Sequence, residues 1–136
     1  MNQDLADIAL PPPLSTGAIE AAMVKAFAAA SGDLNPIHLS DDIARRAGLD
    51  GAILHGLFIT ARFEAYLEAI PEARLRVLQT RFVRPAPVGV NLIVHGRVLG
   101  ANTGELHLRL LAKSPAGTLF AVGEARLDRV LSSSSA

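Results

Sequence analysis

The residues best suited to chemistry lie in two short stretches. In 31-SGDLNPIHLSDD-42, Asp33, Asn35 and His38 fall within six positions; in 51-GAILHGL-57, His55 precedes Gly56. A carboxylate and an imidazole five residues apart can meet if the loop between Gly32 and Pro36 folds the chain back. Such a pair suits general acid/base work, because imidazole titrates near neutrality and a carboxylate helps position a water. Asn35, between them, can orient either group through its amide. His55-Gly56 supplies a complement. Free N–H groups at the start of a helix over 57–69, with the positive helix end, would stabilise an oxyanion on a substrate carbonyl. A glycine there lets a substrate approach the backbone closely.

Each of these residues also has a structural reading. Asp33 and Asn35 are common turn formers, Pro36 stiffens a turn, and a lone histidine often fills a half-buried niche. His55-Gly56 can be a plain loop-to-helix junction. The joint occurrence, rather than any one residue, favours chemistry. Asp33, His38 and His55 also amount to two histidines and a carboxylate, a set that can hold iron. Their spacings match no compact metal motif, so no metal is expected.

Other nucleophile and nucleotide chemistries find no residues here. There are no cysteines. G-x-S-x-G, G-x-G-x-x-G and G-x-x-x-x-G-K-[ST] are all absent. His95 and His107 are expected at exposed strand positions. Arg81 and Arg84, in 79-QTRFVRPAP-87, read as outward-facing strand residues, with contact to the phosphates of a carrier as the lesser reading.

The elements that must position these groups follow from pattern. Pro11–Pro13 keep the chain extended, and Ser15, Thr16 and Gly17 offer caps for a helix over 18–30. Its apolar stripe is read as Ile19, Ala22, Met23, Ala26, Phe27 and Ala30, and Ser31-Gly32 stops it. Ser40 caps a short helix, 41-DDIARRA-47, with aspartates in its first turn and arginines in its last. The segment 56–70 is a longer, largely buried helix ended by Pro71. The period then changes. Strands are expected near 75–84, 90–99, 105–113 and 118–130, with hairpin turns at 100-GANTG-104 and 114-SPAG-117. The expected class is α+β: an antiparallel meander with one face on a buried helix. Its apolar edges predict a homo-oligomer, with a dimer first.

The chain has 136 residues, half of them apolar, enough for one domain with a sizeable core. Residues 1–10 and 131–136 are expected to be poorly ordered. Thirteen basic and thirteen acidic residues balance, without the basic footprint of a nucleic-acid binder. The N-terminus has no signal-peptide pattern and no apolar run is long enough for a membrane span, so a cytoplasmic protein is expected.

Taken together, the two stretches resemble the MaoC-like hydratases and dehydratases, including (R)-specific enoyl-CoA hydratases. The resemblance lies in 24-VKAFAAASGDLNPIHLSDDIARRAGLDGAILHGLF-58 and continues more weakly through 80-TRFVRPAPVGVNLIVHGRV-98. It implies a hot-dog fold, an antiparallel sheet around one long helix, here 56–70. It also implies a dimer and reversible addition of water to a trans-2-enoyl thioester carried on coenzyme A or an acyl carrier protein. Asp33 and His38 would be the catalytic pair, with Asn35 supporting their geometry. Gly56, with His55 beside it, would meet the thioester oxygen through its N–H. No metal or redox cofactor is required. Arg62 and Glu64 interrupt a helix that is small and apolar in the family, and Val90 replaces the family's aspartate. Both departures bear on the acyl group rather than on the catalytic pair. The alternatives are another thioester enzyme of the same fold, such as a thioesterase or a pathway-specific lyase, and a non-catalytic acyl-carrier-binding subunit.

Overall fold

In the computed structural model, which describes residues 8–130, the alternating second half of the chain forms four long strands. These are β2 (Ala73–Phe82), β3 (Asn91–Ala101), β4 (Glu105–Lys113) and β5 (Leu119–Arg129). A short strand, β1 (Leu14–Ala18), precedes them. Three helices fill the first half: α1 (Ala21–Ser31), α2 (Asp41–Arg46) and α3 (Gly56–Glu68), with a 3-10 turn at Pro36–His38.

All strand pairs are antiparallel, in the order β1-β3-β4-β5-β2. Only β3–β5 form the expected meander. Strand β2 lies on the far edge against β5, and β1 takes the other edge on β3. The reason lies in the 83–90 connection. Pro85 and Pro87 lack the N–H groups a tight hairpin uses, so the chain crosses the end of the sheet instead.

Two local expectations are corrected at α1. Ser15, Thr16 and Gly17 do not cap it; they belong to β1, and the cap position is Glu20, which makes no side-chain capping bond. Thr16 spends its hydroxyl on strand pairing, accepting from the Leu92 N–H at 3.0 Å. The buried face of α1 is Val24 and Ala28, with Phe27 half-buried, whereas Met23 is 47% exposed and Ala22, Ala26 and Ala30 are exposed. Ile19 is fully buried but precedes the helix. With alanine on every side, the stripe has little contrast to set its phase, and Val24 decides it by volume.

Helix α3 lies on the inner face of the sheet, as expected. Phe63 has no exposed surface and packs against Gly123, where an added Cβ would come within 3.0 Å of its ring. A Cβ at Gly96 would come within 2.9 Å of the Tyr66 ring. These two strand glycines let the helix sit close to the sheet. The Tyr66 hydroxyl donates to the Pro11 carbonyl at 3.0 Å, and burial pushes its pKa above the ordinary phenol value. Ile8 and Leu10 pack half-buried on the core, so residues 8–10 are part of the fold despite the expectation for 1–10. Positions 1–7 and 131–136 lie outside the described residues. Among the described residues, no helix is long and apolar enough to cross a membrane.

Candidate active site

Helix α1 ends at Gly32, whose left-handed φ of 79° turns the chain into the polar loop while its N–H closes on Ala28. Three side-chain turns follow in succession. The Asp33 N–H donates to Ser31 Oγ, the Asn35 N–H to Asp33 Oδ1 and the Ile37 N–H to Asn35 Oδ1, each at 3.2 Å. Each oxygen captures the N–H two residues on, the preference that makes these residue types turn formers. Asn35 thereby caps the 3-10 turn. Its amide oxygen is engaged there, and it supports the loop through the backbone.

His38 is 8% exposed, and its Nδ1 lies 2.8 Å from the Ile53 carbonyl oxygen. A carbonyl oxygen only accepts, so Nδ1 carries the proton and Nε2 is left free. That Nε2 faces Asp33 Oδ2 at 3.8 Å, and the Asp33 side chain is 53% exposed. The gap is too long for a direct hydrogen bond and is a span that one water can bridge.

His55 is 2% exposed and turned away from solvent. Its Nε2 donates to the Asp33 backbone carbonyl at 3.0 Å. Its ring stacks on His38, with centroids 3.8 Å apart and planes inclined by 22°, and Phe27 packs against it with its ring tilted and the centroids 5.0 Å apart. One ligand atom each from Asp33, His38 and His55 lie within 4.8 Å of one another. Imidazole lone pairs lie in the ring plane, however, so two near-parallel stacked rings point alongside each other rather than at a common centre. The arrangement suits proton chemistry on one ring better than chelation by both.

Backbone ties bring the second stretch to the first. The Ile53 N–H donates to the Ile37 carbonyl at 3.1 Å, the Leu54 N–H to Ala86 at 2.8 Å and the Val88 N–H to Ala52 at 3.0 Å. Asp41, at the start of α2, accepts from the Ala52 N–H at 2.9 Å, so it does more than begin a helix. The Ser40 cap forms as expected.

Gly56 opens α3, where first-turn N–H groups have no intrahelical acceptor. It shares with His38 a cavity of about 490 Å³, whose walls include Ile53, Ile59, Phe82 and Ala86. A Cβ at Gly56 would come within 2.7 Å of the Phe82 ring, so only glycine leaves the ring and the backbone in contact. The imidazole that can move a proton and the backbone end that can hold an oxyanion thus face one space.

The other singled-out residues lie elsewhere. Arg62 holds its guanidinium 5.3 Å over the Phe58 ring with Nε buried and unbonded, Glu64 is exposed, and neither lines the cavity. Arg84 is in the cavity wall, whereas Arg81 lines a separate hollow with Arg109 and Glu124. His95 and His107 are half-buried rather than exposed, on strand positions that alternate with core residues. Phe27, Ile59 and the Ile53 carbonyl escape a reading by residue type. Phe82 has a weak signal, as the aromatic of 82-FVRP-85 within the weaker part of the family resemblance.

Comparison with known proteins bears on the family and the fold. Residues 9–110 match the family model described as MaoC like domain. The chain is 37% identical over 108 residues to "3-hydroxyacyl-thioester dehydratase X" of Mycobacterium tuberculosis, covering 76% of this chain and 36% of that protein. It is 33% identical over 110 residues to "Fatty acid synthase beta subunit TOXC" of Cochliobolus carbonum, covering 77% of this chain and 5% of the synthase. It thus spans only a minor part of these two relatives. Among solved structures, the (R)-hydratase from A. caviae involved in PHA biosynthesis superposes with a TM-score of 0.77 at 26% identity, covering 89% of this chain and 95% of that one. A family match over most of the chain, on a five-stranded sheet packed against one long helix, establishes that this protein belongs to the MaoC-like family of thioester hydratases and dehydratases and has the hot-dog fold.

Proposed function

We propose that the chain adds water to trans-2-enoyl thioesters, and in reverse dehydrates (R)-3-hydroxyacyl thioesters, with Asp33 and His38 acting on one water. The observation that carries this reading is the free His38 Nε2, 3.8 Å from Asp33 Oδ2, at a cavity shared with Gly56. A water between the two acceptors donates one hydrogen to each. Its oxygen bonds to C3 as the C2=C3 π pair moves toward the thioester carbonyl, and His38 Nε2 takes the water proton. The Gly56 N–H holds the enolate oxygen. The proton then passes to C2, so hydrogen and hydroxyl have been added across the double bond and the enzyme is unchanged. General base catalysis of this kind contributes about 10²–10⁴-fold, and one oxyanion donor about 10²–10³-fold. The names of the mycobacterial dehydratase and the A. caviae (R)-hydratase support the same substrate class. The carrier is coenzyme A or an acyl carrier protein, and the steps above need no metal or redox cofactor.

Asp33→Asn should lower hydration of a crotonyl thioester, followed as loss of the enoyl absorbance, by about 10²–10⁴-fold. A variant that hydrates at the normal rate would sink the reading, and release of free thiol instead would mark a thioesterase. On the same reading the working form is a homodimer. Edge strand β2 and the turn after it expose Val77, Phe82 and Val83 by 42%, 52% and 43%, apolar surface that a second copy would cover. Light scattering behind a sizing column should give twice the chain mass, and a monomer at assay concentration excludes the dimer.

A further inference from the structure

Hydration places three demands on this chain: an oriented imidazole, a carboxylate beside it and a donor at the start of α3. One side chain outside the cavity touches the elements that carry all three. We propose that His55 is a positioning residue that locks the Asp33–His38 pair and the first turn of α3 into one unit, a role that rests on the hydration reading above. Its Nε2–H pins the Asp33 backbone carbonyl at 3.0 Å. Its ring forms the floor beneath His38 at 3.8 Å, while Ile53 fixes the rotation of His38 through Nδ1 at 2.8 Å. Its own carbonyl accepts the Phe58 N–H at 3.1 Å, so its backbone sets the turn from which the Gly56 N–H projects. Phe27 packs on it from α1, and with 2% of its surface exposed it has little room to rotate.

The residue type follows from these contacts. A flat ring is needed under His38, and a donor is needed at the far end of that ring. Phenylalanine supplies only the first, glutamine only the second and leucine neither. A shift of about 1 Å in reacting groups can lower a rate about 10²-fold, so a side chain that never meets substrate still governs turnover.

The test uses His55→Leu, His55→Phe and His55→Gln in the full chain, each alone and with Asp33→Ala. Turnover on crotonyl-coenzyme A and the ¹H–¹⁵N imidazole spectrum of His38 are both read. For His55→Leu, kcat should fall about 10²-fold with KM within about twofold. Phenylalanine and glutamine should each recover part of the loss. In the Asp33→Ala background the leucine change should cost nothing further, because both act on the same unit. His38 should be a single Nδ1–H tautomer held by Ile53 in both chains, with its ring signals shifted and broadened in His55→Leu as the stacked ring beneath it is lost. Unchanged kcat, a loss that adds fully to that of Asp33→Ala, or an unaltered His38 spectrum overturns the proposal. If His55→Leu does not fold, the glutamine and phenylalanine variants give the same comparison. A parent chain that fails to hydrate any enoyl thioester defeats the hydration reading alone, and the His38 spectrum still decides the positioning role.

Discussion

His38 and His55 stack behind the site loop, whereas His95 and His107 sit on neighbouring strands of the sheet, among side chains. In the first pair, each ring gives an N–H to a backbone carbonyl, Ile53 for His38 and Asp33 for His55. A carbonyl cannot exchange donor and acceptor roles, so tautomer and ring rotation are set by the main chain. In the second pair no carbonyl intervenes. His107 Nε2 lies 3.4 Å from Glu124 Oε1 without a formed hydrogen bond, and His95 is held below its ordinary pKa by burial and then by the Lys113 charge. Burial differs as well, since His38 and His55 are buried while His95 and His107 are half-buried, but burial does not by itself aim a nitrogen. What separates them is an orientation held by backbone while one nitrogen stays free beside a carboxylate and a cavity.

That contrast can be broken at several points. The largest effect is expected at His38→Gln, which removes the free Nε2 lone pair and should lower hydration about 10²–10⁴-fold; His107→Gln, measured beside it, should leave the rate unchanged. Equal losses at the two would erase the distinction between the pairs. Next comes Gly56→Ala. The added methyl meets the Phe82 ring at 2.7 Å, so the exposed ring must swing and the approach to the N–H narrows. A fall of about 10²-fold in kcat/KM with little change in Tm is expected, in line with loss of one oxyanion donor. A large drop in Tm would show instead that Gly56 serves packing.

The smallest effect concerns His95 and pH. Its folded pKa is below the unfolded value, so the unfolded chain binds more protons in that window and stability rises with pH. The stabilisation is complete above about pH 6.5 and is lost as pH falls from there toward the folded pKa. His95→Gln should flatten the acid side of the Tm–pH curve while leaving turnover alone. An unaltered acid limb would remove His95 as its source.

Much of this organisation is legible in residue order. The strand alternation from 105-ELHLRLLA-112 places β4 to the residue, because Leu106, Leu108, Leu110 and Ala112 are buried in turn. The Ser40 cap and the punctuation of α2 are equally direct, since both rest on contacts within one turn. Less is legible where several arrangements share one pattern. Alanine on all sides of α1 hid its buried face, and Ser15–Gly17 serve a cap or a strand with the same side chains until Leu92 arrives to use the Thr16 hydroxyl. The site divides in the same way. Asp33, His38 and Gly56 are visible as residue types at family spacing. The Ile53 carbonyl, the Phe82 wall and the place of His55 behind the pair are not, because each depends on a segment distant in the chain.

What the sequence by itself determined is local and chemical. It supplied a turn of Ser31, Asp33 and Asn35 whose oxygens capture N–H groups two residues on, a carboxylate and an imidazole on that turn, and a glycine opening a buried helix. What only the tertiary structure decided is which nitrogen of His38 is free and what that nitrogen faces. The proton sits on Nδ1 because the 52–54 segment, clamped between Ile37 and Ala86, brings a carbonyl to within 2.8 Å of it. A hydrogen bond that fixes a tautomer joins residues 38 and 53 across a fold, and no spacing along the chain records it.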